Sequence, residues 1–268
     1  MTFTMVGFSE VTQNASLLPV AALPDAHVTV SGDDISVPAL NKIIGVMAWS
    51  PSMRAAQLFS PSLRRMYNFD LADFNRGASP LYTQAVNEAG TATYTVLTGD
   101  GYVDLRDNPL ELDVAEKLNF LADNNNTSER TNCLVLFAPG TPELVKGKIF
   151  TIKASSNTNL AAYSWTNGTL TFSQSLPSGR YNIVGMRAKS TGLLAARLVP
   201  VGETWRPGCI GVQAYNQKGL DIFRYGQLGS WTEFEFDSPP TIDFLSASND
   251  NSEEVYLDLI QVRSGRGA

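Results

Sequence analysis

Alternating apolar and polar positions recur along most of this chain and predict short β-strands rather than helices. The alternation is plainest at residues 231–236 and 255–262, where it is typical of a half-buried antiparallel strand. Nine strand-like segments fall in the second half of the chain: 149–154, 160–165, 169–172, 181–188, 193–199, 210–214, 231–236, 242–245 and 255–262. So many strands with almost no helical periodicity predict a β-sandwich.

Turn residues divide the chain further. Asn167-Gly168 lies between two strand-like segments and predicts a tight hairpin turn. Residues 139–147 begin with Pro-Gly, end with Gly and follow a complete apolar strand, so they predict a linker between two domains. The second domain then covers residues 148–268 and ends in a short flexible tail.

The first half also has strand-like segments, but it carries the one helical signal in the chain. The strand-like segments are 28–30, 43–49, 93–97, 102–105, 110–112 and 133–138, and 113–122 is ambiguous between helix and strand. Ser50-Pro51 and Ser60-Pro61 each resemble a helix N-cap followed by proline at the first helical position. We therefore predict two short helices in tandem as an insertion at residues 51–67.

Charge excludes one class of partner. The chain has 268 residues and a net charge of −6, and residues 1–146 hold 9 Lys+Arg against 16 Asp+Glu, giving −7. An acidic chain without a basic run is a poor candidate for nucleic-acid binding, so we expect no sequence-specific nucleic acid as partner. Four arginines could form a local basic surface, but a solvated helix face is the favoured interpretation: Arg54, Arg64, Arg65 and Arg76.

Catalytic chemistry finds little support in the residues. His27 is the one histidine, and it lies in no recognisable catalytic motif. Cys133 and Cys209 lie in apolar segments and are interpreted as small core residues, so we predict neither zinc nor a disulfide framework. Glu233 and Glu235 share one face of a predicted strand, but a solvated outer face explains them better than a glycosidase pair does.

Two loops and one tryptophan are candidates for binding. Residues 123–126 and 249–251, with Glu253 and Glu254 nearby, offer oxygen ligands for Ca²⁺. Turn chemistry accounts for the same Asn and Asp residues, and we favour it, so no cofactor is predicted. Trp205 lies in a Trp-Arg-Pro-Gly loop and is the tryptophan expected to be exposed or interfacial.

Two successive sandwiches in one chain resemble the double jelly-roll major capsid proteins of tailless icosahedral viruses and phages. The segments closest to such proteins are 176–186, 193–199, 223–226 and 255–262. The resemblance implies an all-β fold of two consecutive eight-stranded antiparallel jelly rolls, at residues 24–138 and 148–268. It also implies a non-enzymatic subunit whose pseudo-hexagonal homotrimers tile an icosahedral capsid lattice.

The same resemblance implies partners and a location. The protein would be made in the host cytoplasm and would contact itself, other virion proteins and, where present, an internal membrane. Residues 1–23 would form an N-terminal arm that contacts a neighbouring capsomer, and deleting residues 1–20 would spare folding but impair assembly. The expected interface residues are Phe3, Met5, Phe8, Leu17, Leu18 and Trp205. The alternative for the arm is an edge strand of its own subunit.

Two other functions remain open at this stage. One is a carbohydrate-binding or adhesion protein such as a phage fibre or tail component, which predicts an exposed aromatic platform. The other is a glycosidase of jelly-roll form that depends on Glu233 and Glu235.

Overall fold

The chain forms two compact all-β units. The computed structural model describes residues 2–12, 17–25, 28–36, 40–50, 53–60, 67–70, 83–86, 92–95, 102–114, 116–124, 129–212 and 220–264. One unit is Met5–Thr141, and the other combines Met1–Thr4 with Pro142–Ala268. We call them the first and the second roll. The division between Thr141 and Pro142 lies inside the segment that the sequence predicts as a linker.

The first roll contains two main sheets. Its strands are β1 Thr4–Thr12, β2 Leu18–Val20, β3 Thr29–Ser31, β4 Asp34–Ser36, β5 Lys42–Trp49, β6 Met53–Phe59, β7 Tyr67–Asp70, β8 Thr83–Val86, β9 Ala92–Thr95, β10 Tyr102–Asp104, β11 Leu110–Glu111, β12 Asn119–Asn124 and β13 Glu129–Ala138. One sheet has the order β1-β13-β5-β10, with β11 also paired to β5, and the other has the order β2-β12-β6-β7. The pairs β3–β4 and β8–β9 are small hairpin sheets.

This strand order is that of a jelly roll. Eight strands, lettered B to I in chain order, are β1, β2, β5, β6, β7, β10, β12 and β13. The sheets then become B-I-D-G and C-H-E-F, which is the two-sheet arrangement of a jelly roll. Its core is formed by apolar residues on alternate positions, such as Phe120 and Ala122 along β12 and Leu118 just before it.

The second roll repeats the same topology. Its strands are β14 Phe150–Ser156, β15 Trp165–Gly168, β16 Thr171–Phe172, β17 Gly179–Lys189, β18 Leu193–Val199, β19 Gly208–Val212, β20 Thr232–Glu235, β21 Thr241–Ser246 and β22 Glu253–Ser264. With β16 set aside as an added edge strand, the order is β14-β22-β17-β20 for B-I-D-G and β15-β21-β18-β19 for C-H-E-F. A short parallel contact at Ala188↔Gly211 joins strand F to strand D and links the two sheets.

Burial follows the strand period in the second roll. Ile152, Ala154 and Ser156 are buried along β14, whereas Thr151 and Lys153 between them are exposed. The fold prediction of two consecutive jelly rolls is therefore confirmed by strand order in each unit. Within the described residues, no helix is both long and apolar enough to cross a membrane.

The predicted helical insertion at 51–67 is wrong where the structure describes it. Met53–Phe59 is strand β6, paired antiparallel with β12 on one side and with β7 on the other. Ala56 and Leu58 are both buried, as the two-residue period of a strand requires. A serine-proline pair is compatible with a strand start, and pairing on both edges outweighs that local signal. Residues 51–52 and 61–66 lie outside the described residues.

The hairpin turn predicted at Asn167-Gly168 is also wrong. Both residues lie within β15, where Asn167 pairs with Asp243 and Gly168 with Ile242. A side chain at position 168 would overlap the hydroxyl of Thr158 and come within 2.9 Å of that of Ser156. Glycine is present here because another segment packs closely against the strand, which local sequence does not reveal.

Candidate functional site

The N-terminal segment is held inside the second roll. The rings of Phe3 and Trp231 meet edge to face, with centroids 5.2 Å apart and an interplanar angle of 87°. The Thr2 hydroxyl donates to the Trp231 carbonyl at 3.0 Å, and the Arg206 N–H donates to the Thr4 hydroxyl at 3.1 Å. Residues near the start of the chain thus complete the packing of loops about 200 residues later.

The predicted interface residues separate into two groups. Phe3, Met5 and Phe8 are at most 1% exposed and lie in or beside β1, which pairs with β13. These three side chains are buried within their own chain, and Thr4–Thr12 is a strand of the subunit's own sheet. Leu17, Leu18 and Trp205 are half-buried. Their interface role remains a prediction.

Aromatic side chains line one end of the second roll. Phe150, Tyr181, Phe234 and Phe172 form a row with successive ring centroids 5.9–6.2 Å apart. The row begins at the partly exposed Phe150 and continues through the buried Tyr181 and Phe234. We call this row the aromatic end. Phe150 is its exposed member.

An open cleft lies beside the aromatic end. Its volume is about 310 Å³, and Phe234, Arg180 and Val201 are among its lining residues. Val201 is 81% exposed at a turn whose next residue, Gly202, has a φ of +77°. An aliphatic side chain this exposed on a turn tip gains nothing from the monomer's own core.

The two glutamates considered for catalysis lie on the outer face of β20. Glu233 is paired with Arg180, with an Oε2–Nε distance of 2.8 Å, and Glu235 is exposed. Phe234 between them is buried, as the strand alternation predicts. A glycosidase needs a proton donor with a raised pKa next to a carboxylate in an enclosed cleft. An ion pair beside a solvated carboxylate is typical of a protein surface and does not meet this requirement.

The outer face of the second roll's B-I-D-G sheet is polar and organised around Tyr256. Arg187 and Lys153 lie over its ring, at 4.7 Å and 5.9 Å from the centroid. Glu254 accepts from Lys153 at 2.7 Å and from the Tyr256 hydroxyl at 3.1 Å. The Lys153 ammonium holds the pKa of Glu254 below its usual range.

The loop proposed for calcium is closed by its own hydrogen bonds. Asp250 accepts from the Ser190 hydroxyl and from the Thr191 N–H at 2.9 Å, and Asn249 accepts from the Ala162 N–H at 3.2 Å. Burial opposes ionisation of Asp250, but these donors together hold its pKa below its usual range. The turn interpretation thus accounts for the side-chain oxygens of Asp250 and Asn249 that the calcium interpretation would use.

The structure describes only part of the other loop that was considered for calcium. Asp123 and Asn124 belong to strand β12, and residues 125–126 lie outside the described ranges. Across the part of the chain that the structure describes, no three His, Cys, Asp or Glu side chains gather in a group able to hold a metal ion.

The second roll contains two ion pairs that the sequence does not predict. Asp258 is fully buried and forms an ion pair with Arg224. Its carboxylate accepts hydrogen bonds from Arg224 Nε at 2.6 Å and from Arg224 Nη2 at 2.8 Å. Arg197 is 2% exposed, pairs with Asp243 at 3.1 Å and stacks on Trp165 at 4.0 Å. In each pair the partners lie more than 30 residues apart, so no local motif could have revealed them.

The two cysteines are buried and unreactive, and the one histidine is not described. Cys133 and Cys209 are buried free thiols. Burial raises the pKa of Cys209 to about 12 and that of Cys133 well above its usual value, so neither is a nucleophile at neutral pH. His27 lies outside the described residues.

The chain is loosely similar to several solved structures. No family model and no curated protein matches the sequence. The major capsid protein P2 of bacteriophage PM2 matches over 100% of both chains with 13% identity and a TM-score of 0.26. A chain of Sulfolobus turreted icosahedral virus covers 98% of this chain and 92% of its own at 9% identity, with a TM-score of 0.25. A Paenibacillus xanthan lyase covers 97% of this chain but 25% of its own, with a TM-score of 0.22. These superpositions are loose, and the fold assignment stands on the strand order within each unit.

Proposed function

We propose that this protein is a viral major capsid subunit whose pseudo-hexagonal trimers tile an icosahedral shell. The observation that carries the proposal is the presence of two complete jelly rolls in one chain. Single jelly rolls serve capsids, lectins and cupins alike. Two rolls per chain have a specific geometric consequence, because three chains then supply six similar bodies, which is the number that a hexagonal lattice needs around each position.

The surfaces of the second roll support a structural role. Phe150 of its aromatic end and Phe236, which follows strand β20, are each more than a third exposed, and Val201 is 81% exposed. Such side chains are costly on a monomer and useful in a permanent interface, which resembles a protein core cut in half. The thiols are buried and the two glutamates considered for catalysis lie on a polar face, so the proposal assigns the protein no catalytic activity.

Location and partners follow from the same proposal. A tiling subunit is made in the host cytoplasm and ends in the virion, where its first partner is another copy of itself. Other virion proteins, and an internal membrane where the virus has one, are its further partners.

The native mass tests this function most directly. Light scattering after size exclusion should give about 87 kDa, three times the 29.1 kDa of one chain, and negative-stain images should show hexagonal particles or shells. A chain that stays monomeric from micromolar to several hundred micromolar would contradict the proposal. Replacing Val201 and Phe236 with serine should weaken assembly, whereas replacing the 73% exposed Val114 of the first roll should not.

A glycan-binding function is the second candidate, and one feature favours it. An open cleft of about 500 Å³ is lined by three asparagines together with Asp250 and Leu160: Asn159, Asn249 and Asn251. Carboxamides hydrogen-bond sugar hydroxyls well. If the protein proves monomeric, a glycan screen comparing the wild type with Asn159→Ala and Asn251→Ala decides for or against this function.

A further inference from the structure

Arg187 is a charged side chain without a counterion. It lies in β17 opposite Tyr256 of β22, and its guanidinium carbon is 4.7 Å from the centre of the tyrosine ring. The Nε atom is buried and has no hydrogen-bond partner. Within the described chain, no carboxylate forms an ion pair with this arginine.

Several other arginines of this roll form ion pairs. Three of them have a carboxylate partner within 3.1 Å: Arg180 with Glu233, Arg197 with Asp243, and Arg224 with Asp258. A buried guanidinium nitrogen without a hydrogen-bond acceptor, such as Nε of Arg187, carries an uncompensated desolvation cost. Groups of this kind in native proteins call for an explanation, and a bound ion is one of the standard ones.

A cavity adjoins Arg187 and has room for such an ion. Its volume is about 170 Å³, and it is lined by charged, aromatic and apolar side chains that include Arg187, Arg224, Asp221, Tyr225, Met186 and Ile210. A water molecule occupies about 30 Å³ in the liquid, so the cavity accommodates a group of a few heavy atoms. Arg224 is already neutralised by Asp258, which leaves Arg187 as the unneutralised cation.

The chemistry of the cavity selects the kind of anion. The guanidinium of Arg187 lies over the Tyr256 ring, and the fork of a guanidinium binds two oxygens of one planar group side by side. Asp221 lines the same cavity and disfavours an ion with more than one negative charge. We propose that the cavity beside Arg187 binds a single carboxylate group through the guanidinium of Arg187.

The carboxylate has two sources that share this chemistry. One is a free monocarboxylate, and the other is an aspartate or glutamate side chain of a second copy of this chain. The second source rests on the proposed capsid function, whereas the first does not. The two arms of the experiment separate them.

The first arm measures thermal unfolding of the full chain in sodium acetate and in sodium chloride at equal ionic strength and pH 7. Acetate should raise the wild-type melting temperature by about 2–4 °C near saturation, with no such rise for Arg187→Gln. Lys117→Gln is the control, because it removes the same charge from a lysine that is 60% exposed in the first roll. Arg187→Lys keeps the charge without the fork, so it should fold and respond to acetate more weakly than the wild type.

The second arm measures self-association by sedimentation velocity over a range of concentrations. If the carboxylate comes from a second copy, Arg187→Gln should weaken association at least tenfold, Lys117→Gln should not, and acetate should compete with association. The inference is overturned if acetate has no specific effect on stability and Arg187→Gln associates like the wild type. A wild type that never associates contradicts the capsid function, while the acetate response still decides the carboxylate site.

Discussion

Glu253 is a buried carboxylate whose ionisation the fold disfavours. It is 1% exposed, its Oε2 accepts from the Thr158 N–H at 3.4 Å, and its Oε1 has no partner. Burial, with a smaller contribution from the charge of Asp250, raises its pKa. Because the folded pKa lies above the unfolded value of about 4.3, the contribution of Glu253 to stability is greatest below that value and is lost as pH rises through the folded pKa.

Glu253→Gln should therefore stabilise the protein at neutral pH. The amide keeps the shape and removes the buried charge, so we expect a gain of about 1–3 kcal/mol at pH 8 that vanishes near pH 4. Urea unfolding at a series of pH values measures it. Glu254→Gln is the matched control, because the lowered pKa of Glu254 predicts a loss at neutral pH that disappears in acid. Parallel pH profiles for the two variants would refute the assignment.

The pKa of Asp258 is shifted in the opposite direction to that of Glu253. Burial opposes its ionisation, but hydrogen bonds from Arg224, Thr151 and the Tyr225 N–H together hold its pKa below the usual range. Its ionised form supports the fold above the unfolded pKa, and that support is lost as pH falls through the lower folded value.

Replacing Asp258 with Asn leaves Arg224 partly buried without its counterion. We expect a loss of about 3–5 kcal/mol at pH 7, which shrinks as pH falls towards 2 because the wild type then loses the same interaction. Denaturant unfolding at both pH values is the measurement. An equal loss of unfolding free energy at pH 2 and pH 7 would show that Asp258 stabilises the fold through packing and not through its ion pair with Arg224.

At the scale of elements, β1 belongs to the fold as well as to any assembly. Phe3 precedes it, is fully buried and packs against Trp231, whereas Val11 of the same strand is 48% exposed. Phe3→Ala should cost about 3–5 kcal/mol in unfolding free energy, and Val11→Ala should stay within about 0.5 kcal/mol of the wild type. Equal effects would mean that the N-terminal segment is not anchored as described.

This anchoring changes what a deletion should do. Removing residues 1–20 deletes all of β1 and β2, which are strands B and C of the first roll. We therefore no longer expect subunits that lack residues 1–20 to fold. We expect the deleted protein to be insoluble or to lose cooperative unfolding, as circular dichroism and calorimetry would show. A deletion that folds normally and fails only in assembly would restore the arm hypothesis.

The elements also show what sequence could and could not predict. Strand β18 was predicted at its observed bounds, because a continuous apolar run between turn residues has few other structures open to it. Strand β6 was missed, because its pairing with β12 and β7 comes from residues far away in sequence. The charge pairs of Arg224 and Arg197 were missed for the same reason, so the candidate surface was less predictable than the fold.

At the scale of the whole molecule, the two rolls share a topology but differ in charge. Residues 1–146 carry a net charge of −7 and residues 147–268 carry +1, which together give the chain's −6. Contacts between the first rolls of two copies would bring two acidic bodies together. Contacts from a first roll to a neighbour's second roll avoid this repulsion. Such head-to-tail contacts are heterologous, and they close into rings when the rotation allows.

Salt should therefore strengthen self-association. Every copy carries −6, so approaching copies repel each other at long range whichever rolls finally touch. The Debye length falls from about 30 Å at 0.01 M salt to about 8 Å at 0.15 M, which removes most repulsion between surfaces but leaves apolar contacts at the aromatic end intact. We expect the dissociation constant, measured by sedimentation, to fall several-fold between these salt concentrations. A rise instead would show that ion pairs dominate the interface, as salt screens attraction between opposite charges, and would move the contact from the aromatic end to the polar face around Tyr256.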